Sequence, residues 1–326
     1  MSYLYPFKFK TIFKEKIWGG QKINTFLRKD FLPLTNCGET WEISGVENNV
    51  SVVANGKLSG TDLNTLIEQH PLELLGESVF RRFGAVFPLL VKFIDANEDL
   101  SIQVHPGDAL ARKRHDSFGK TEMWYVLQAD SDASLISGFN QDVDRSKYLE
   151  KFNEGKLTDI LNRENVVQGD LFFLPAGRVH TIGKGLLIAE IQQSSDITYR
   201  IYDFDRVDDE GKTRQLHTEE ALDAIDYQYY PQYKSSYAKV PNEINEMVDC
   251  EYFTTNFIAL EGALNRSYSH LDSFKILVVV EGSFKLTFHE GELDCKLGDC
   301  ILIPASVDEV SLQASGSAKI LESYIR

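Results

Sequence analysis

Apolar and polar residues alternate in short runs along most of the chain, a pattern typical of β-strands. Three such runs lie between residues 7 and 60 and are separated by turn residues such as Gly19-Gly20 and Asn55-Gly56. A dense apolar run follows at 87–95, and strand-like runs return from about residue 250 to the C-terminus. The patterning therefore predicts a mainly β protein.

Several segments show helical spacing instead. In the first, Leu63, Leu66 and Ile67 share one face, Thr61 is the expected N-cap, and Pro71 ends the helix. The other predicted helices are short and cover residues 106–114, 146–153 with 157–161, and 218–225. We expect these helices to be insertions among the strands.

One stretch of the sequence occurs twice with the same spacing. The octapeptide Gly169-Asp-Leu-Phe-Phe-Leu-Pro-Ala returns as Gly298-Asp-Cys-Ile-Leu-Ile-Pro-Ala. Two copies of a strand, a tight turn and a second strand indicate two related β-barrels. The Tyr-, Gln- and Pro-rich segment 227–241 is the expected linker. We therefore predict one domain at residues 1–230 and a second at 231–326.

Charge and cysteine usage narrow the class of protein. The formal net charge is −15, which argues against nucleic-acid and membrane partners because both require a basic face. A phosphorylated substrate would need a local basic pocket against this field. The four cysteines form no CxxC pair, and the N-terminal residues lack the apolar run of a signal peptide. These features predict a cytoplasmic protein with reduced thiols.

The candidate chemistry begins with the stretch 100–106. In a strand, Ser101, Gln103 and His105 share one face, and Pro106 ends the strand just after the histidine. Glu122 opens the next strand-like run, and His180 follows the first copy of the repeat. Two imidazoles, a carboxylate and an amide oxygen suit an open zinc site, although iron, manganese, nickel or cobalt would accept the same ligands.

Other histidines have plainer interpretations. His70, His217, His270 and His289 show no partner pattern, and His115 lies in a basic, polar turn. In the second copy of the repeat, the position equivalent to His180 by spacing is Glu309. We therefore expect the second domain to be structural.

A set of motifs resembles the type I mannose-6-phosphate isomerases, in their short bacterial form. The motifs occur in order along nearly the whole chain: Trp18-Gly-Gly, Gly38-Glu-Thr-Trp-Glu-Ile-Ser, Ser101-Ile-Gln-Val-His-Pro, Gly119-Lys-Thr-Glu-Met-Trp-Tyr, Pro175-Ala-Gly-Arg-Val-His and Gln192-Gln-Ser-Ser-Asp-Ile-Thr-Tyr-Arg-Ile-Tyr-Asp-Phe-Asp-Arg. The resemblance implies a cupin (jelly-roll) fold in both barrels and one zinc ion per chain. It places the metal ligands on Gln103, His105, Glu122 and His180.

The same resemblance implies the chemistry. Interconversion of mannose 6-phosphate and fructose 6-phosphate moves a proton between C2 and C1 through a cis-enediol(ate). The family's catalytic and substrate contacts fall on Ser101, Lys120, Glu190 and Arg200. Glu190 or Lys120 could transfer the proton, and Arg200 suits a phosphate or the enediolate.

Plainer interpretations stand beside these assignments. Arg200 could instead form a salt bridge with Asp196, Asp203 or Asp205, and Lys120 could be a solvated surface lysine. A non-catalytic sugar-phosphate-binding cupin and an iron-dependent cupin dioxygenase are the alternative functions. We expect a small-molecule sugar phosphate as the partner and a monomer or weak homodimer as the assembly.

Overall fold

The computed structural model describes residues 4–207 and 210–326, so residues 1–3, where the predicted first domain begins, and Asp208 with Asp209 lie outside it. Strands dominate these ranges, as the alternating pattern predicts. They are β1 Phe7–Lys8, β2 Ile12–Lys14, β3 Glu39–Ile43, β4 Leu89–Ala96, β5 Ile102–Val104, β6 Glu122–Ala129, β7 Ser134–Phe139, β8 Leu161–Asn165, β9 Leu171–Leu174, β10 His180–Ile182, β11 Leu186–Gln193, β12 Tyr199–Tyr202, β13 Lys234–Ser235, β14 Asn245–Asp249, β15 Thr254–Ser267, β16 Lys275–Phe288, β17 Gly291–Lys296, β18 Cys300–Ile303 and β19 Glu309–Tyr324.

The helices are short and lie between strands. They are α1 Lys22–Thr25, α2 Leu63–Gln69, α3 Pro71–Leu75, α4 Glu77–Phe83, α5 Asp108–His115, α6 Arg145–Asn153 and α7 Thr218–Ala224, with a 3-10 turn at Leu157–Ile160. Every predicted helical segment is present. The predicted N-cap Thr61 is wrong, because the carboxylate of Asp62 accepts the Thr65 amide at 2.9 Å. None of the helices in the described ranges is long and apolar enough to cross a lipid bilayer.

Helix α4 is absent from the sequence prediction for a physical reason. Its N-cap is Gly76, whose lack of a side chain leaves no capping signal in the local sequence. The carboxylate of Asp272 instead accepts the amides of Glu77 and Ser78, at 2.8 and 2.7 Å. A residue almost two hundred positions away therefore supplies the cap.

The strands form three sheets in two units. The N-terminal unit has a five-stranded sheet, ordered β12-β5-β10-β7-β8, and a seven-stranded sheet, ordered β13-β9-β6-β11-β4-β3-β2. The C-terminal unit is one seven-stranded sheet, ordered β1-β18-β16-β19-β15-β14, with β17 paired to β16. The predicted mainly β, cupin-like fold with short helical insertions is confirmed.

The repeated octapeptide has the same local structure in both units. Gly169 and Gly298 adopt φ of 87° and 86°, in the left-handed region that glycine tolerates best. The carboxylates of Asp170 and Asp299 each accept the amide three residues earlier at 2.9 Å. The same turn therefore precedes β9 in one unit and β18 in the other.

Each unit borrows an edge strand from beyond the predicted boundary at residue 230. Strand β1 pairs with β18 of the C-terminal unit, and β13 pairs with β9 of the N-terminal unit. In both pairs a lysine of the borrowed strand reaches the aspartate of the repeated turn. The distances are 2.6 Å from Lys8 to Asp299 and 2.8 Å from Lys234 to Asp170. The two units thus share strands at their edges.

The largest hydrophobic core lies between the two units. Alternate residues of β6, among them Tyr125, face the sheet of the C-terminal unit, where the ring of Phe257 stacks at 6.3 Å. Burying a ring such as that of Phe257 contributes roughly 1.5–3 kcal/mol. The other face of β6, with Glu122 and Trp124, belongs to the interior of the N-terminal unit. Both faces of β6 are therefore covered.

Candidate metal centre

Three strands bring the predicted ligands together. His180 is the first residue of β10, and its register partner on β5 is Gln103. His105 follows β5 directly, where Pro106 ends the strand. Glu122 is the first residue of β6 in the facing sheet. The ligand positions therefore lie at strand ends, as the sequence predicts.

The three charged or titratable ligands are in mutual contact. Nε2 of His105 lies 3.5 Å from Oε2 of Glu122, and Nε2 of His180 lies 3.3 Å from Oε1. One donor atom from each residue lies within 4.8 Å of the other two. All three side chains are at most 2% exposed. Two imidazoles and a carboxylate in this arrangement can bind one divalent cation.

Hydrogen bonds fix the tautomer of each histidine. Nδ1 of His105 donates to the carbonyl of Ile197 at 2.9 Å, and Nδ1 of His180 donates to the carbonyl of Arg178 at 2.8 Å. With the proton on Nδ1, each Nε2 carries a lone pair toward Glu122. This outer arrangement is the one that metal-binding histidines commonly have.

The electrostatics of the cluster also fit a cation. Burial raises the pKa of Glu122 to about 7 against the opposing charge of Lys120, lowers that of His180 to about 3, and lowers that of His105 well below its usual range. Among the described residues, no donor forms a well-aligned hydrogen bond to either oxygen of Glu122. Buried polar atoms rarely stay unpaired. The donor set therefore fits a bound metal ion.

Gln103 and Lys120 border these ligands. Nε2 of Gln103 lies 3.3 Å from Nε2 of His180, and rotating the amide by half a turn would aim its oxygen there. The ammonium of Lys120 lies 3.0 Å from Nε2 of His105 and 3.1 Å from Oε2 of Glu122. Lys120 is only 6% exposed, so its interpretation as a solvated surface lysine is wrong.

Glu190 lies on β11, the strand next to β6, and is buried in the same unit. It is paired in register with Trp124 on one side and Lys92 on the other. Its Oε2 accepts the indole of Trp124 at 2.9 Å, and its Oε1 lies 3.2 Å from the Lys92 ammonium. Burial alone would raise the pKa of Glu190, but Lys92 and Lys120 together lower it. Glu190 is therefore ionised.

Lys92 and Trp124 are site residues that the sequence motifs did not reveal. Lys92 is the one basic residue in the apolar run 87–95, and that isolated charge was a usable signal. Its ammonium donates to Oε1 of Gln192 at 2.9 Å and lies 5.1 Å from the ring centre of Trp41. Trp124 also meets the ring of His180 edge-on at 5.2 Å.

Arg200 and Ser101 lie on the β5 side of the site. Arg200 is the register partner of Gln103 on β12, and its Nη1 donates to the carbonyl of Gln215 at 2.8 Å. Its Nε is buried without a hydrogen-bond partner. Within residues 4–207 and 210–326 its guanidinium forms no ion pair, so the alternative salt bridge to Asp196, Asp203 or Asp205 is wrong. Ser101 is buried immediately before β5.

Asp203 itself is paired elsewhere. Its carboxylate accepts Nε of Arg214 at 2.7 Å and Nη2 of Arg206 at 3.4 Å. Trp18, in the first motif of the resemblance, is 3% exposed and packs in the core, and the basic residues that end α5 are exposed to solvent.

In the C-terminal unit, other residue types stand at the positions equivalent to the metal ligands. Strand register and the side that each residue faces match four positions across the two units. Arg266 corresponds to Gln103, Tyr268 to His105, Lys275 to Glu122 and Val310 to His180. The equivalence of Glu309 with His180 is therefore wrong. Glu309 precedes, by one residue, the position that faces inward.

Side-chain cations, Arg266 and Lys275, stand at two of the ligand positions in this second site. Arg266 and Tyr268 both donate to the fully buried Glu322, at 2.7 Å in each case. The ammonium of Lys275 lies 4.7 Å from the ring centre of Tyr268 and donates to the carbonyls of Pro304 and Val307. Two cations, Arg266 and Lys275, outnumber the single carboxylate of this cluster. Its donor set therefore does not fit a metal ion.

Known proteins resemble the chain over almost its full length. The family model for phosphomannose isomerase type I, catalytic domain, matches residues 6–132, and the model for the mannose-6-phosphate isomerase cupin domain matches residues 243–325. The mannose-6-phosphate isomerase ManA of Bacillus subtilis (strain 168) is 35% identical over 98% of this chain and 99% of its own length. The mannose-6-phosphate isomerase of Streptococcus mutans is 35% identical over 95% of each chain.

A solved structure agrees with these matches. The crystal structure of the Bacillus subtilis mannose 6-phosphate isomerase superposes with a TM-score of 0.89 at 33% identity, and the alignment covers 99% of this chain and 100% of that chain. The crystal structure of a mutant of phosphomannose isomerase from Salmonella typhimurium superposes with a TM-score of 0.80 at 16% identity, over 98% of this chain and 99% of that chain. At that identity the second match shows the fold alone.

Proposed function

This chain belongs to the type I mannose-6-phosphate isomerase family, and from that premise we propose which of its residues hold the metal, the sugar phosphate and the migrating proton. As a member it is an aldose–ketose isomerase that interconverts mannose 6-phosphate and fructose 6-phosphate. The family is metal-dependent. The remaining assignments concern individual residues.

His105, Glu122 and His180 hold one zinc ion in this proposal, and the amide oxygen of Gln103 completes the set. The supporting observation is the buried cluster of two imidazoles, whose Nε2 atoms face Glu122, and a carboxylate whose oxygens accept no well-aligned hydrogen bond. When bound, the ion supplies an electrophile that stabilises negative charge developing on the sugar oxygens. Other divalent metals would fit the same donors.

Glu190 carries the proton between C2 and C1. The reaction breaks the C2–H bond of the aldose, forms the cis-enediolate, and delivers a proton to C1 to give the ketose. A base must be unprotonated at neutral pH, and Lys92 keeps the Glu190 carboxylate in that state. Lys120 is a cation between two ligands, which suits it to stabilise the enediolate and to exchange the proton of O1 or O2.

Arg200 and Ser101 bind the substrate. A half-buried guanidinium without a carboxylate partner is suited to the phosphate of the sugar. Ser101 is two residues from Gln103, and its hydroxyl can donate to a sugar oxygen. Ser101 directly precedes β5, which presents Gln103, and Arg200 lies opposite Gln103 on the neighbouring strand β12.

Metal content and isomerase activity together test these roles. We expect His180→Ala to lose bound zinc and nearly all activity in a coupled assay with mannose 6-phosphate. We expect Arg200→Ala to retain zinc but to lose roughly 100-fold in kcat/KM, the cost of one buried phosphate contact. The exposed residues His289 and Arg81 give matched control variants, His289→Ala and Arg81→Ala. A fully active His180→Ala protein, or native turnover after metal depletion, would refute the site.

The wider assignments are also proposals. Residues 1–230 form the catalytic domain and 231–326 the structural one, with β1 and β13 exchanged between them. The four free thiols support a cytoplasmic location. The acidic charge supports a protein that binds neither nucleic acid nor membranes. Size-exclusion chromatography with light scattering tests the expected monomer or weak homodimer.

A further inference from the structure

A buried arginine with no part in the mechanism above lies two residues before His180. The side chain of Arg178 packs against two tyrosine rings that meet edge to face, with its guanidinium carbon 4.4 Å from the centre of Tyr230 and 4.6 Å from that of Tyr233. Arg178 is only 7% exposed. A cation in contact with two aromatic rings is attracted by both, and the two contacts together restrict its position.

The two rings are themselves fixed. The hydroxyl of Tyr233 donates to the carbonyl of Phe139 at 2.8 Å and accepts its amide at 3.1 Å. The hydroxyl of Tyr230 donates to Asp226 at 2.9 Å. Residues 226–235, which end in β13, form a continuous band across this part of the N-terminal unit. We name this band the tyrosine strap.

The turn that carries Arg178 contacts both histidine ligands. The carbonyl of Arg178 accepts Nδ1 of His180 at 2.8 Å, and the amide of Gly177 donates to the carbonyl of His105 at 2.9 Å. The strap touches the same turn, because the amide of Asp226 donates to the carbonyl of Gly177 at 2.8 Å. The strap thus connects to the metal ligands through one short turn.

We propose that Arg178 and the tyrosine strap are positioning residues that fix the His180 imidazole and so set the affinity for the metal. The segment predicted as a linker between domains then has a second role, in holding a ligand. The inference rests on the proposed function in taking His180 as a ligand. Outer groups that orient metal-binding histidines commonly change metal affinity by roughly 10–100-fold when removed.

Zinc affinity, measured by competition with a chromophoric chelator on the full chain, tests the proposal. Arg178→Met keeps the length and apolar stem of the side chain but loses its charge and planarity. We expect its dissociation constant for zinc to rise at least roughly 10-fold, while the melting temperature of the metal-free protein changes little. Tyr233→Phe keeps the ring and loses both bonds to Phe139, so it should show a smaller rise.

Lys239→Met is the matched control, since the Lys239 ammonium lies 4.8 Å from the ring centre of Tyr237 on an exposed part of the chain. It should leave zinc affinity unchanged. The visible spectrum of cobalt-loaded protein adds a readout of ligand geometry, which should shift for Arg178→Met, shift less for Tyr233→Phe, and stay unchanged for Lys239→Met. A merely structural arginine would lower the melting temperature without moving this spectrum.

The outcomes separate the inference from the proposed function. If the parent protein binds no zinc, the metal site itself is wrong. If His180→Ala abolishes zinc binding while Arg178→Met binds within twofold of the parent, only the positioning role is overturned. If Arg178→Met does not fold, Tyr233→Phe decides. A zinc affinity and cobalt spectrum equal to those of the parent in Tyr233→Phe would then refute the proposal.

Discussion

Glu322 gives a direct test of whether the C-terminal unit is purely structural. Its carboxylate is fully buried and accepts Nε and Nη2 of Arg266 at 3.1 and 2.7 Å, together with the hydroxyl of Tyr268. Glu322→Gln keeps the shape of the side chain and removes the charge. The guanidinium of Arg266 then stays in the interior without its counter-ion.

The expected loss of stability follows from that uncompensated charge. Breaking a buried ion pair by removing one partner costs about 3–5 kcal/mol in the free energy of unfolding. Unfolding entropy is about 2.1 cal/mol/K per residue, which gives about 0.7 kcal/mol/K if the 326 residues unfold together. The melting temperature should therefore fall by about 4–7 °C.

Calorimetry and zinc analysis measure the two sides of this prediction. Zinc content and kcat should equal those of the parent below the transition, because the N-terminal unit supplies all the proposed ligands. Arg266→Met/Glu322→Gln, which removes both charges, should recover much of the lost stability. The matched control is Glu292→Gln in the exposed pair with Lys285, which should barely move the melting temperature. The reasoning is refuted if Glu322→Gln loses zinc at an unchanged melting temperature.

Three further predictions concern buried groups. Burial lowers the pKa of Lys275 from 10.5 to about 8. Between these two pH values the unfolded chain binds more protons than the folded protein. The free energy of unfolding should therefore rise with pH in this window, by up to about 3 kcal/mol. Unfolding scans at pH 7.5 and 10 should show this gain in stability for the parent protein and not for Lys275→Met. An equal gain in the parent and in Lys275→Met would contradict the prediction. Lys92→Met should raise the pKa of Glu190. The acid limb of the pH–kcat profile of the zinc-loaded enzyme should therefore move to higher pH. An unshifted profile would count against Glu190 as the base. Gly183→Ala would place a Cβ 1.8 Å from the carbonyl oxygen of Ser134. Strands β10 and β7 must then separate, so the melting temperature should fall. An unchanged melting temperature would show that the backbone relaxes freely.

Local pattern was enough for the strands, most of the helices and the positions of the ligands. Gln103 and His105 could be placed on one face because side chains alternate along a strand. Glu122 and His180 could be placed at strand ends because the repeat and the turn residues mark where strands stop. The sequence alone also showed that the second copy lacks the histidines.

Features that depend on distant contacts could not be read in this way. Asp272 caps α4 from the other unit, so the sequence near Gly76 contains no N-cap residue that would predict this helix. Equal spacing matched Glu309 to His180, but strand register and facing match Val310, because a side-chain face reverses with a shift of one residue. Lys92 is identifiable as part of the site only once its neighbours Glu190 and Trp41 are known.

The exchanged edge strands have a consequence for synthesis on the ribosome. β1 leaves the ribosome almost three hundred residues before its partner β18 is made. Until then Phe7 and its neighbours have no strand to pair with, and such distant pairing slows folding. The N-terminal unit can therefore begin to form early, but the molecule closes only when the last sheet is complete. A nascent chain interrupted after residue 230 would also lack β13, leaving two sheet edges open to unwanted strand pairing.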